Sequence, residues 1–70
     1  LRMTARNQLW GRVVAVHPGP VNNEVTLALP SERSVTCVVT AESCVALGIE
    51  PGVEACALFK SSSVILAVYD

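Results

Sequence analysis

The stretch from Glu24 to Val39 constrains the fold more than any other part of the chain. Val25, Leu27 and Leu29 alternate with Glu24, Thr26 and Ala28; after Pro30-Ser31-Glu32-Arg33 the alternation resumes, with Val35, Cys37 and Val39 opposite Ser34, Thr36 and Val38. A period of two sends successive side chains to opposite faces, so both segments read as strands buried on one face. The turn residues between them predict a hairpin. Upstream, Leu9 to Val16 is rich in β-branched residues and stops at His17-Pro18-Gly19-Pro20, where two prolines remove ladder donors and glycine permits a tight turn. Downstream, Thr40-Ala41-Glu42-Ser43 predicts a helix start: threonine can cap free amides, and Glu42 complements the positive end of the helix dipole. Cys44, Val45 and Leu47 are expected to form the apolar side of this short helix. Gly48 is placed to end it in the left-handed conformation before Ile49-Glu50-Pro51-Gly52 turns the chain. Val53 to Phe59 and Val64 to Tyr69 follow as two strands joined by Lys60-Ser61-Ser62-Ser63.

The element order β-β-β-α-β-β predicts an all-β fold, a five-stranded OB-like Greek-key barrel with one short helix between strands 3 and 4. Seventy residues hold one small domain, taken as residues 1–70. Here composition matters, because 51% of the residues are apolar and 16% charged. A chain this short buries only about 60% of the surface its unfolded form exposes, so a monomer would leave apolar patches in water. Val13 to Val16 and Ile65 to Val68 are apolar on both strand faces, and one face needs a cover the chain does not supply. A homo-oligomer is the expected solution. No apolar run approaches the roughly 18 residues of a membrane span. The start Leu1-Arg2-Met3-Thr4 lacks the order of a secretory signal. Opening on Leu1 without an initiator methionine is what a piece of a longer chain would do.

Five Lys and Arg against six Asp and Glu give a net charge of −1, which argues against a general nucleic-acid binder. An OB module for single strands would also need aromatic platforms on a basic face, whereas Trp10, Phe59 and Tyr69 fall on three strands. Cys37, Cys44 and Cys56 form an odd set within apolar stretches and read as free packed thiols of a reducing compartment. His17 has no second histidine with which to share a metal, so no metal site is expected. No nucleophile elbow, Cys/His arrangement or phosphate-cradling glycine loop is present, and Glu24, Glu32, Glu42, Glu50 and Glu54 flank turns or polar strand faces. The chain does not read as an enzyme, and no cofactor is expected.

Two polar clusters interrupt the apolar background, Thr4-Ala5-Arg6-Asn7 and Lys60-Ser61-Ser62-Ser63. Each joins a cation to hydroxyls and turn amides, the donor set that a tetrahedral oxyanion requires because it offers only acceptors. Arg2, Arg12 and Arg33 read as surface charge. Micromolar capture requires about 8 kcal/mol net, and each hydrogen bond to a charged group contributes about 1.5 to 3 kcal/mol. One cluster is too little; convergence of both on one anion, at a subunit boundary, would suffice.

Taken together, Thr4-Ala5-Arg6-Asn7-Gln8-Leu9-Trp10-Gly11, Pro18-Gly19-Pro20-Val21-Asn22-Asn23-Glu24-Val25, Thr40-x-Glu42-Ser43 with Leu47-Gly48, and Lys60-Ser61-Ser62-Ser63-Val64 resemble the molbindin (Mop-type, TOBE-superfamily) domain across essentially the whole chain. The resemblance implies an OB-like barrel that binds molybdate, and usually tungstate, at subunit interfaces, as a cytoplasmic storage hexamer or as a domain, dimeric in that setting, of a larger regulator or transporter. It implies an oxyanion site of Thr4, Ala5 and Arg6 from one chain with Lys60 and Ser61 from its neighbour. Ser62 is the alternative if the serine run is shifted by one. It also implies a second oxyanion site near a symmetry axis, for which Pro20, Val21 and Asn22 are candidates; Pro20 lacks an amide, so donation there falls to Val21 or Asn22. A ligand-free oligomerisation module is the remaining alternative. Trp10 reads as an interface or packing residue.

Overall fold

The computed structural model describes residues 8–60 and 63–68; of residues 59, 60 and 63 it describes the backbone alone. The strands are β1 (Gln8–His17), β2 (Asn22–Leu29), β3 (Arg33–Thr40), β4 (Glu54–Lys60) and β5 (Ser63–Val68), with the helix α1 (Ala41–Leu47) between β3 and β4. They form one sheet in the order β3-β2-β1-β4-β5, every neighbouring pair antiparallel. The two outermost strands, β3 and β5, therefore run in the same direction, and they meet across the opening. The expected five-stranded OB-like barrel is the architecture found.

The predicted hairpin pairs Asn22 with Thr40 through to Leu29 with Arg33. Its inner row is Val25, Leu27 and Cys37, all buried, with Leu29, Val35 and Val39 packed against them. The turn adopts a positive φ at Ser31 and Glu32, a conformation that side chains with a Cβ disfavour. In β1 the pairing with β2 slips between Val13 and Ala15, and Val14 is pushed outward, 52% exposed. Val13 instead exchanges bonds with the loop before β4: its N–H donates to the Val53 carbonyl and its carbonyl accepts from Gly52 N–H, both at 2.8 Å. Such a bulge bends a strand as barrel closure requires.

The helix begins as expected. Thr40 Oγ1 accepts from Ser43 N–H, and Gly48 ends the helix in the left-handed region, its N–H and the following Ile49 N–H donating to the Val45 and Cys44 carbonyls. The expected apolar side is corrected by the structure. Only Cys44 is buried; Val45 is 83% exposed and Leu47 also faces solvent. A two-turn helix lying over a barrel end can insert one edge, and here Cys44 together with Ile49, just beyond the helix, fills it.

The strand ends also differ from expectation. Val53 lies in the loop, donating to the Glu50 carbonyl, and Lys60 pairs with Ser63, so β4 and β5 extend into the segment expected to be their link. Only Ser61 and Ser62 connect them. Tyr69 lies outside the described residues.

All three cysteines are free and buried, and Cys37 and Cys44 belong to the core. Cys56 is different. It pairs with Trp10 and Ala67 on the outer face of the sheet, yet is fully buried. Burial pushes the Cys37 and Cys56 thiols above their ordinary value, in Cys56 against a smaller, opposing hydrogen bond with the Leu9 backbone. Both remain protonated at neutral pH, which leaves them poor nucleophiles.

Candidate functional site

Of the expected oxyanion residues, Thr4, Ala5, Arg6, Ser61 and Ser62 lie outside the described residues, and Lys60 is described by its backbone as the last residue of β4. The topology still relates the two clusters. The N-terminal segment enters the sheet at Gln8, which pairs with Leu58, two residues before Lys60. Because β1 and β4 are antiparallel, the chain upstream of Gln8 and the chain downstream of Leu58 leave the paired region at the same end of the barrel. The β2–β3 turn, with exposed Arg33, is at that end too.

Pro20, Val21 and Asn22 occupy the opposite end, beside the start of α1. All three are exposed. The Val21 carbonyl accepts from Ala41 N–H at 2.8 Å, and Asn22 opens β2 opposite Thr40. Thr40 is itself engaged: its hydroxyl caps Ser43 N–H and donates to Ser43 Oγ at 2.8 Å. Pro20, Val21 and Asn22 thus lie at the barrel end opposite the Lys60 backbone.

Among the other cations expected as surface charge, Arg12 and Arg33 are exposed, and Arg12 Nη1 donates to the Gly52 carbonyl at 2.8 Å. Arg12 thereby braces the loop that β1 also holds through Val13. Among the described residues no three His, Cys, Asp or Glu side chains gather as a metal site would require, and no helix is long and apolar enough to cross a membrane.

The outer face of β1, β4 and β5 carries two cross-strand rows, Trp10-Cys56-Ala67 and Gln8-Leu58-Ile65, apolar except for Gln8. Trp10 is 37% and Ile65 49% exposed. Alternation in the sequence could not single out this face, because Ala55 and Ala57 flank Cys56 and make β4 apolar on both sides. The outer face of β2 and β3 is instead Glu24, Thr26, Ala28, Ser34, Thr36 and Val38, with Thr26 and Thr36 sharing a hydroxyl hydrogen bond at 3.1 Å. It offers neither the charge nor the aromatic platforms of a single-strand binder. Sequence reasoning gave Asn23 no role of its own beyond its place in the motif Pro18 to Val25; it is the buried polar side chain among the described residues.

Residues 3–66 match the TOBE domain family. The chain is 80% identical over 69 residues to the molybdenum transport protein ModE of Azotobacter vinelandii, covering 99% of this chain and 26% of that protein. It therefore spans about a quarter of the length of that relative. Its fold is similar to that of MopII from Clostridium pasteurianum, at a TM-score of 0.79 and 36% identity over 91% of this chain and 96% of that one. It is also similar to the cytoplasmic molybdate-binding protein ModG in a molybdate-bound form, at a TM-score of 0.80 and 46% identity, covering 99% of this chain and 49% of that one.

Proposed function

Because the chain belongs to the TOBE domain family, we propose that it binds molybdate, and tungstate with it, as a non-enzymatic oxyanion-binding domain comprising residues 1–70. The observation that carries this reading is the likeness, over 99% of the chain, to ModG with molybdate bound. The donors are Thr4, Ala5 and Arg6 of one chain and Lys60 with Ser61 or Ser62 of a neighbour. Support comes from the chemistry of the two clusters and from the β1–β4 register, which sets Gln8 and the Lys60 backbone at the same barrel end.

The anion needs a water-poor setting, since exposed ion pairs contribute little. Subunit contact supplies it. The apolar outer face carrying Trp10 and Ile65 drives assembly into a homo-oligomer, a hexamer for a storage protein and a dimer within a larger regulator or transporter. The protein acts in the cytoplasm, where ModG also acts. Pro20, Val21 and Asn22 form a second oxyanion site, near a symmetry axis of the oligomer, at the opposite end.

Isothermal titration with molybdate tests this. Arg6→Ala and Lys60→Ala are each expected to weaken binding about tenfold or more, the loss of one hydrogen bond to a charged partner. Undiminished affinity in either variant overturns the assignment. Sulfate, being smaller, should compete poorly; equal affinity for sulfate contradicts a site built to the size of molybdate.

A further inference from the structure

The chain carries a net charge of −1, and an oligomer multiplies it, so the assembly as a whole repels a dianion such as molybdate at long range. The described charges are, however, sorted along the barrel. Every neighbouring pair of strands is antiparallel, so β1, β3 and β5 begin at the end that holds the Lys60 backbone, while β2 and β4 begin at the end that holds α1. Glu24 lies near the start of β2, opposite His17 and Val38. Glu42 is in the first turn of α1, Glu50 follows the helix and Glu54 opens β4; all of these carboxylates are exposed. Arg12 sits opposite Glu54 with its guanidinium on the Gly52 carbonyl, so its charge stands among them.

Arg33 stands at the Lys60 end, where it opens β3 opposite Leu29. It is exposed, and its side chain has no hydrogen bond or ion pair among the described residues. Glu32, just before it and also exposed, is the carboxylate that this end carries among the described residues. Without Arg33 the approach to Lys60 would therefore be acidic, as the α1 end is. A guanidinium keeps its charge at any pH the protein meets, and one without a partner projects its field into solvent. That field acts over the screening length, about 30 Å at 0.01 M salt and about 8 Å at 0.15 M. The barrel measures 24 to 32 Å across, so at low salt Arg33 acts on an anion at this end without touching it.

We infer that Arg33 guides the oxyanion electrostatically: it offsets Glu32, keeps the Lys60 end open to a dianion and strengthens capture through its field, not as a ligand. The inference rests on the proposed oxyanion site at Lys60 and adds to it a residue outside the ligand set. A charge that acts at the rim of a site changes the salt dependence of binding, whereas a ligating group contributes at any ionic strength. The proposed second site at Pro20, Val21 and Asn22 lies at the acidic end, beyond this help.

Calorimetric titration with molybdate at about 0.01 M and about 0.5 M sodium chloride, where the screening length falls from about 30 Å to a few ångströms, tests this. A unit charge acting on a dianion across half the barrel changes affinity about threefold in water. Arg33→Gln is expected to weaken binding about threefold at the lower salt and to match the parent chain at the higher one. Arg33→Lys, which keeps the charge, should match the parent at both. Glu32→Gln, which removes the opposing charge, should strengthen binding about threefold at the lower salt, a gain that damage to the fold cannot produce. Parent-like affinity of Arg33→Gln or Glu32→Gln at the lower salt overturns the inference. So does an equal loss in Arg33→Gln at both salts, which would make Arg33 a ligand, or a loss in Arg33→Lys. A parent chain that fails to bind molybdate at either salt overturns the proposed function itself, and this inference with it.

Discussion

Gly11 shows how a single position in the opening motif answers to packing rather than to ligand. It sits in β1 opposite Ala55, and a Cβ placed there would fall well inside van der Waals contact of the Ala28 carbonyl oxygen and 3.0 Å from Leu29 Cδ2. The obstructing atom is backbone in the adjacent strand, so it cannot rotate away. Gly11→Ala should cost about 1 to 3 kcal/mol, the usual penalty of overpacking. A urea denaturation midpoint unchanged from the parent chain would contradict this. Asn23 makes the complementary point, because its burial follows from its place under the Pro18–Pro20 turn, and nothing in its neighbours' composition announces it.

The helix α1 divides into what local chemistry sets and what the barrel sets. Its ends follow from residues within one turn: Thr40 supplies the acceptor for Ser43 N–H, and Gly48 takes the left-handed φ of 68° that other residues resist. These features were readable in the chain. Removing the cap hydroxyl in Thr40→Val should lower stability by about 1 kcal/mol, measured as a fall in thermal or chemical midpoint. Retention of full stability would mean the helix is held by Cys44 alone. Its buried face was not readable in the same way. Cys44 and Leu47, three residues apart, share one side of the helix and Val45 stands about 100° round from Cys44, yet the barrel admits Cys44 alone.

Across the whole molecule, the apolar excess is distributed between two faces of one curved sheet. Val13, Val25, Leu27 and Leu66 fill the interior, each burial contributing about 1.5 to 3 kcal/mol. Trp10 and Ile65 remain on the outside. If that outer face assembles the subunits that share the anion, Ile65→Glu should convert the oligomer to a monomer and remove molybdate binding with Arg6 and Lys60 intact. Light scattering and calorimetry on the same sample read both outcomes. A monomeric Ile65→Glu chain that still captures molybdate would show that the site is complete within one subunit.

Strand periodicity, turn residues and helix caps act over two to five residues, so the element order and the five-stranded barrel were open to a reading of the chain alone. The pairing of Thr4-Ala5-Arg6 with Lys60-Ser61 as an oxyanion set is proposed from donor chemistry and the family resemblance, and Thr4, Ala5, Arg6 and Ser61 lie outside the described residues. Other features depend on residues brought together from far apart: Gly11 against Ala28, Val13 against Gly52 and Val53, Asn23 with Cys44 and Glu50 around one concavity. The placement of the Gln8 and Lys60 chain ends at one end of the barrel is of the same kind, set by the β1–β4 register. Such contacts arise from sheet closure, and a linear pattern carries no record of which distant strands will meet or which side of each will be covered.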